Sequence, residues 1–322
     1  MLSRAAESIY WLHRYIERAE NVARFIDVNL HLMLDLSPDS PEQWQPLVNT
    51  TGDRHDFARR YGTATKENVF TFLTHDTANP NSILSCLQAA RDNARSVREI
   101  ISSDMWEHVN KFYLMVRRAV RQAPHAPHHF FTEVKNASYL FVGITDATMA
   151  HGEGWHFGRL GRLLERADKT SRILDVKYFI LLPKAADVGS PADDIQWAAV
   201  LKSASALEMY RQRFGRITPV SVADFLILDR EFPRAMRYCL VEAETSLHLI
   251  SGTPMGSFRD EAEQRLGRLR SELDYAAIQE IISVGLHEFL DRFQFKLNQA
   301  DDEIFNTFFA LRPVSGSRRG GG

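Results

Sequence analysis

The 322-residue chain holds only two cysteines, Cys86 and Cys239, which excludes a disulfide framework. It opens on no secretory leader, so a reducing cytoplasm is the expected compartment. The apolar stretch Tyr178-Phe-Ile-Leu-Leu182 that follows Val176 is far short of a membrane span. A formal net charge of -2 argues against a general binder of nucleic acid or of anionic membranes. There is no Asn-Gly hairpin turn and no sustained period-two alternation, so strands have no support. Also missing are a Walker A loop, a dinucleotide fingerprint and a Gly-x-Ser-x-Gly elbow, and this chain is not expected to bind ATP or another cofactor by itself.

The hydrophobic fraction of 44% and the charged fraction of 25% are those of an ordinary globular protein, long enough for two domains or one large one. Internal similarity shapes the rest of the reading. Arg14 to Val28 overlays Arg162 to Val176 without a gap, pairing Glu17 with Glu165, Arg18 with Arg166, Glu20 with Asp168, Arg24 with Arg172 and Asp27 with Asp175. Further along, Ser40-Pro41 meets Ser190-Pro191, Gln43-Trp44 meets Gln196-Trp197, Asp76 meets Asp229, Pro80 meets Pro233, and Cys86-Leu87 meets Cys239-Leu240. Beyond about Ala90 the copies diverge.

Capping signals indicate helices. Ser40-Pro41, Ser190-Pro191, Thr218-Pro219 and Thr253-Pro254 each set a capping hydroxyl before a first-turn proline. Leu266 to Leu297 shows long helical periodicity, and Asp301 to Leu311 reads as a short final helix. The expected fold is all-α, a bundle of ten or more helices in antiparallel hairpins, built from two tandem repeats over residues 1–145 and 146–312. The glycine-rich end, residues 313–322, has nothing to bury and is expected to be disordered.

On a helical wheel Trp11, Leu12, Tyr15, Ile16, Ala19, Val22, Ala23 and Ile26 form an apolar face. His13, Glu17, Glu20, Arg24 and Asp27 lie opposite, with Arg14 and Arg18 on a flank. The second copy sorts alike: Leu160, Leu163, Leu164, Ala167 and Leu174 face inward, Glu165, Asp168, Arg172 and Asp175 face away, and Arg162 and Arg166 take the flank. The plain reading is a solvated face with i,i+4 pairs of about 0.2–0.5 kcal/mol each. Yet Arg stands at both Arg18 and Arg166 and never Lys. A planar fork that grips a carboxylate or phosphate with two hydrogen bonds is what Lys cannot imitate. The remaining readings are buried ion pairs that fix helix register and a site for substrate or partner.

Other chemistry is weaker. No Glu-x-x-His accompanies the carboxylates, Gly161 replaces His13 in the second copy, and the arginines compete with a cation, so no metal is expected. His125-Ala-Pro-His128-His129 reads as a solvated loop, Cys86 and Cys239 as small buried core residues, and Asp76 and Asp229 as turn residues. The glycines of Gly154-Trp-His-Phe-Gly-Arg-Leu-Gly-Arg162 allow close helix packing or offer backbone donors to an anion beside Arg159 and Arg162.

The opening Met1-Leu-Ser-Arg4, Ala6-Glu-Ser-Ile-Tyr-Trp11, Arg14-x-x-Glu17-Arg18-Ala19-Glu20-Asn21, Gly154-Trp155-His-Phe157, Arg159-Leu-Gly-Arg162 and Leu164-Glu-Arg-Ala-Asp168 together resemble the bacterial alpha-E family. That family is all-helical and named for its Glu-Arg motif, and the likeness covers nearly the whole chain. The resemblance implies work beside a circularly permuted ATP-grasp ligase in amide-bond formation on peptides or amino acids, with ATP and Mg held by the ligase. The motif maps onto Glu17-Arg18 and Glu165-Arg166 and brings no catalytic assignment with it; from the residues themselves, Glu17 and Glu165 are the candidate catalytic carboxylates. Arg14, Arg18, Glu20, Arg24, Arg159, Arg162, Arg166, Asp168 and Arg172 are the candidate substrate- or partner-binding residues. The alternatives are a stand-alone peptide-modifying enzyme with Glu17 or Glu165 as general acid or base, and a scaffold whose Glu-Arg pairs are internal ties. Self-association of the chain is left open.

Overall fold

The computed structural model describes residues 1–35, 44–122, 127–180 and 191–310. Ser40-Pro41, Ser190, His125 and the tail from 313 lie outside the described residues. Fifteen α-helices and one π-helical turn are present among those described, without a strand.

Several helices begin where the sequence supplies a capping oxygen. Thr65 accepts from the Asn68 amide to open α4 (Lys66–Thr74), and Thr218 accepts from the Ser221 amide to open α11 (Pro219–Leu228). Thr253-Pro254 opens nothing. Left-handed Gly252 ends α12 (Met236–Ser251), Gly256 holds the turn at φ +83°, and α13 (Glu261–Tyr275) starts on an Asp260 cap instead. The periodicity expected from Leu266 to Leu297 is divided among α13, α14 (Ile278–Val284) and α15 (Leu286–Ile304), the last break falling at Gly285 with φ 107°. Asp301 lies inside α15, which runs into a π-turn over Phe305–Phe309, so no separate final helix begins there. His128 and His129 sit in the first turn of α7 (Pro127–Thr148) rather than in a loop, because Pro127 is tolerated at a helix start.

Two long helices organise the molecule. Helix α1 (Ser3–Asp35) packs against α8 (Glu153–Ile180), α5 (Ile83–Ser96) and α7. Helix α8 packs in turn against α12 and α15. Ile9, Leu12, Ile16, Ala19, Ala23 and Ile26 of α1 enter one hydrophobic cluster with α5, α7 and α6 (Ser103–Gln122). Leu160, Leu163, Leu164, Ala167 and Leu174 of α8 enter a second with α11, α12, α13 and α15, which also takes Ala6, Tyr10 and Phe25. The long helices run in the same direction: the Met1 ammonium meets Glu153 at their starts and Arg18 meets Glu165 further along.

Their closeness depends on small residues. A Cβ at Gly158 would lie 2.6 Å from the His13 ring, and one at Gly161 2.6 Å from the Tyr10 carbonyl oxygen. The glycines before Arg162 therefore serve helix packing. Gly161→Ala must push α8 off the α1 backbone and is expected to destabilise by about 1–3 kcal/mol in urea denaturation. Gly143→Ala, in α7 with nothing within 4 Å, should stabilise by up to about 1 kcal/mol. Equal behaviour of the two variants would show that α1 and α8 do not need this approach.

Candidate functional site

Because α1 and α8 run parallel with their motifs level, each glutamate faces the other helix's arginine. Arg18 Nε donates to Glu165 Oε1 at 2.7 Å and its Nη2 to Oε2 at 2.9 Å. Arg166 Nε and Nη2 donate to the two oxygens of Glu17, both at 2.8 Å. These are two bidentate forks, the strongest ion-pair geometry a side chain offers. Glu17 is 4% exposed and Glu165 0%. The charged faces of the two helices are turned to each other, which corrects the reading of a solvated face: a wheel shows which residues share a face, not what covers it.

More cations attend each carboxylate. Glu165 also accepts from Arg14 Nε at 3.0 Å and lies 3.4 Å from Lys169 Nζ, while Arg18 Nη1 donates to Asn81 at 2.8 Å. Glu17 also accepts from Arg234 Nη1 at 3.2 Å and from Asn21 Nδ2 at 3.1 Å. Burial alone would raise the Glu17 carboxyl, but Arg166 and Arg234 overcome it and hold it at about 2. Burial likewise opposes Arg18, Lys169 and Arg14 at Glu165, and they win, holding that carboxyl well below the usual range.

The remaining expected residues surround this centre. Asp168 takes Arg172 Nε on both oxygens at 2.9 Å and Lys169 at 3.0 Å. Glu20 pairs with Arg24, and with Arg234 Nη2 at 3.0 Å. Arg24 also donates to the hydroxyls of Tyr139 and Ser205. Arg14 reaches the Asp301 carboxylate as well as Glu165. Arg159 stands apart, bound to Glu242 and to Ser246 Oγ at 3.2 Å on α12. Arg162 lines a small cavity with His13, Glu17, Val142, Arg166 and Arg234, and its Nε is buried without a partner.

Sequence reasoning missed Asn81, Arg234, Lys169 and Asp301. Asn81 and Arg234 directly follow the matched prolines Pro80 and Pro233, and one step further along that alignment would have reached them. Asp301 lies where the copies no longer align. Cys86 and Cys239 are buried, each thiol donating to the carbonyl of Pro80 or Pro233 at 3.6 and 3.5 Å, and burial pushes both up to about 12. Both are core thiols, far from thiolate at neutral pH. One group among the described residues, Asp27 with His31 and His128, has metal-ligand types at metal-ligand spacing. The Lys135 ammonium lies 2.6 Å from the second oxygen of Asp27 and competes there with a cation.

Comparison with known proteins fits this geometry. The model of Alpha-E, described as a predicted alpha-helical domain with a conserved ER motif, matches residues 1–309. The chain belongs to the Alpha-E family. In this Alpha-E chain Glu-Arg occurs at Glu17-Arg18 and Glu165-Arg166 and nowhere else. An uncharacterized protein of Mycobacterium bovis is 23% identical over 341 residues, covering 96% of this chain and 37% of its own length. Uncharacterized proteins of Mycobacterium tuberculosis match to the same extent. The Alpha-E chain thus spans little more than a third of the curated relatives it matches. No solved structure matches it. No helix among the described residues is long and apolar enough to cross a membrane.

Glu17 provides a pH test. Its carboxyl is depressed from 4.5 to about 2, so its stabilising contribution is complete above 4.5 and lost as pH falls toward 2. The difference corresponds to roughly 3 kcal/mol. Glu17→Gln should flatten this acid limb in denaturation curves from pH 5 to 2, and at pH 7 should cost about 3–5 kcal/mol because Arg166 is left buried without its counter-charge. An unchanged acid limb would show that the pair does not carry it. Arg18→Lys removes one arm of the other fork and should cost about 1–3 kcal/mol in the same assay.

Proposed function

We propose that this Alpha-E chain is a non-catalytic helical partner of a circularly permuted ATP-grasp ligase, which carries ATP and Mg and forms an amide bond on a peptide or amino acid. The observation behind the non-catalytic role is that the motif residues are committed to one another: each guanidinium fork grips a carboxylate of the chain itself. A general base must keep a lone pair within reach of substrate and titrate near the working pH. Glu17 and Glu165 are buried, bidentately held and strongly depressed, which favours a brace over an acid or base. Work beside a second catalytic unit is supported by the family resemblance and by relatives in which matching sequence makes up 37% of a longer chain. On this reading the two halves, residues 1–145 and 146–312, are held level by the brace so that the outer helices present one fixed surface to the ligase.

The test compares the purified chain, the ligase and their mixture, reading ADP release over panels of amino acids and short peptides. The chain alone should be silent, and the mixture should exceed the ligase alone by about tenfold or more. Turnover by the chain alone, or no complex in size-exclusion chromatography, would overturn the reading. Glu165→Gln should lower the mixture's activity in proportion to the loss of folded chain, with unchanged KM for substrate.

A further inference from the structure

The two braces are not equivalent. His128 bonds Asp27 at 2.8 Å and His287 bonds Asp175 at 2.6 Å, which sets α7 on α1 and α15 on α8 in a corresponding register. In that register Phe131, Val134 and Phe141 correspond to Leu290, Phe293 and Ala300, all buried. The next position brings Asp301 to Arg14 but Val142 to Arg162. Asp301 accepts from both the Arg14 guanidinium and the Tyr10 hydroxyl. Gly158 takes the place of Tyr10 in the second copy, so Arg162 loses both partners.

What remains is a small cavity whose charged wall carries an excess of cation. Its walls carry Arg162, Arg166 and Arg234 against Glu17 and Glu20, with Arg24 behind Glu20. The Arg162 Nε is buried without a partner, as are both ring nitrogens of His13 beside it. Burial, and then the charge of Arg166, lower the Arg162 guanidinium to about 10. Burial and Arg162 push His13 down to about 3, leaving a neutral ring that donates one N–H. The cavity volume is about 20 Å³, so only the head of a ligand enters it, and Tyr139 in its lining stands 48% exposed.

We propose that this cleft between α1, α7 and α8 binds a carboxylate, the C-terminal or acidic side-chain carboxylate of a peptide or amino acid, which Arg162 takes as Arg14 takes Asp301. The companion brace shows the chemistry that fits: a carboxylate at this level completes the arginine and neutralises part of the surplus charge. Phosphate is the poorer match, because the matching position of the other brace is filled by a planar singly charged group.

Binding is read on the chain alone, so its failure and that of the ligase partnership are separable. Titration calorimetry and thermal melting at constant ionic strength would use N-acetylglycine for a C-terminal carboxylate, N-acetylaspartate α-amide for a side-chain one, and inorganic phosphate and chloride as comparisons. Saturable binding of at least one carboxylate, weakened about tenfold or more in Arg162→Gln, is expected. Val142→Asp, which installs the carboxylate that Asp301 supplies to Arg14, should melt higher than the parent and no longer respond to ligand. No saturable binding of either carboxylate, equal binding of phosphate or chloride, or unchanged binding by Arg162→Gln would overturn the proposal. Should Val142→Asp fail to fold, the Arg162→Gln titration decides alone.

Discussion

Two arginine forks crossing between parallel helices are the constraint on which the rest of this structure depends. A carboxylate taken from water must be repaid by charge and hydrogen bonds in good geometry, and here Arg18 and Arg166 supply both on each glutamate. The demand for two parallel N–H groups from separate nitrogens of one rigid plane explains why both positions hold Arg, since an ammonium is a single point donor on a flexible stem. It also fixes the level of α1 against α8: a slide of one turn would separate all four groups. The glycines beneath Arg162 are what bring the backbones close enough for the forks to reach.

The surroundings of the two carboxylates differ in residues but agree in one respect. Around Glu165 the added cation is Lys169 on α8, and the residue after Pro80 is neutral Asn81. Around Glu17 the position matching Lys169 is neutral Asn21, and the added cation is Arg234, the residue after Pro233. One cation has moved from the long helix to the entry of α12 while its effect on the carboxylate is kept. What is kept is a second cation beside each fork, supplied from a different element in each half.

Much of the local structure was legible from sequence because it depends on neighbours in the chain. The apolar backs of α1 and α8, the Thr218 cap, the buried pair Cys86 and Cys239 and the turn aspartates Asp76 and Asp229 all follow from periodicity or spacing. The partnerships were not legible. Asp301 is 287 positions from Arg14 and Arg234 is 217 from Glu17, and nothing in local pattern joins them. Periodicity also failed to show the break at Gly285, where a positive φ turns the chain while the apolar spacing continues on either side.

The forks also set an order on how the chain can mature. Arg18 meets a residue 147 positions later, and Glu17 one 149 positions later. While the first half leaves the ribosome, Glu17 and Arg18 have no fork to close, and water must keep solvating the face that will later be interior. Contacts of such separation form late because loop closure must precede them. The first half can gather its apolar cluster early, yet its longest helix keeps one wet side until α8 arrives. The docking of α8 on α1 thus resembles subunit assembly, carried out within a single polypeptide.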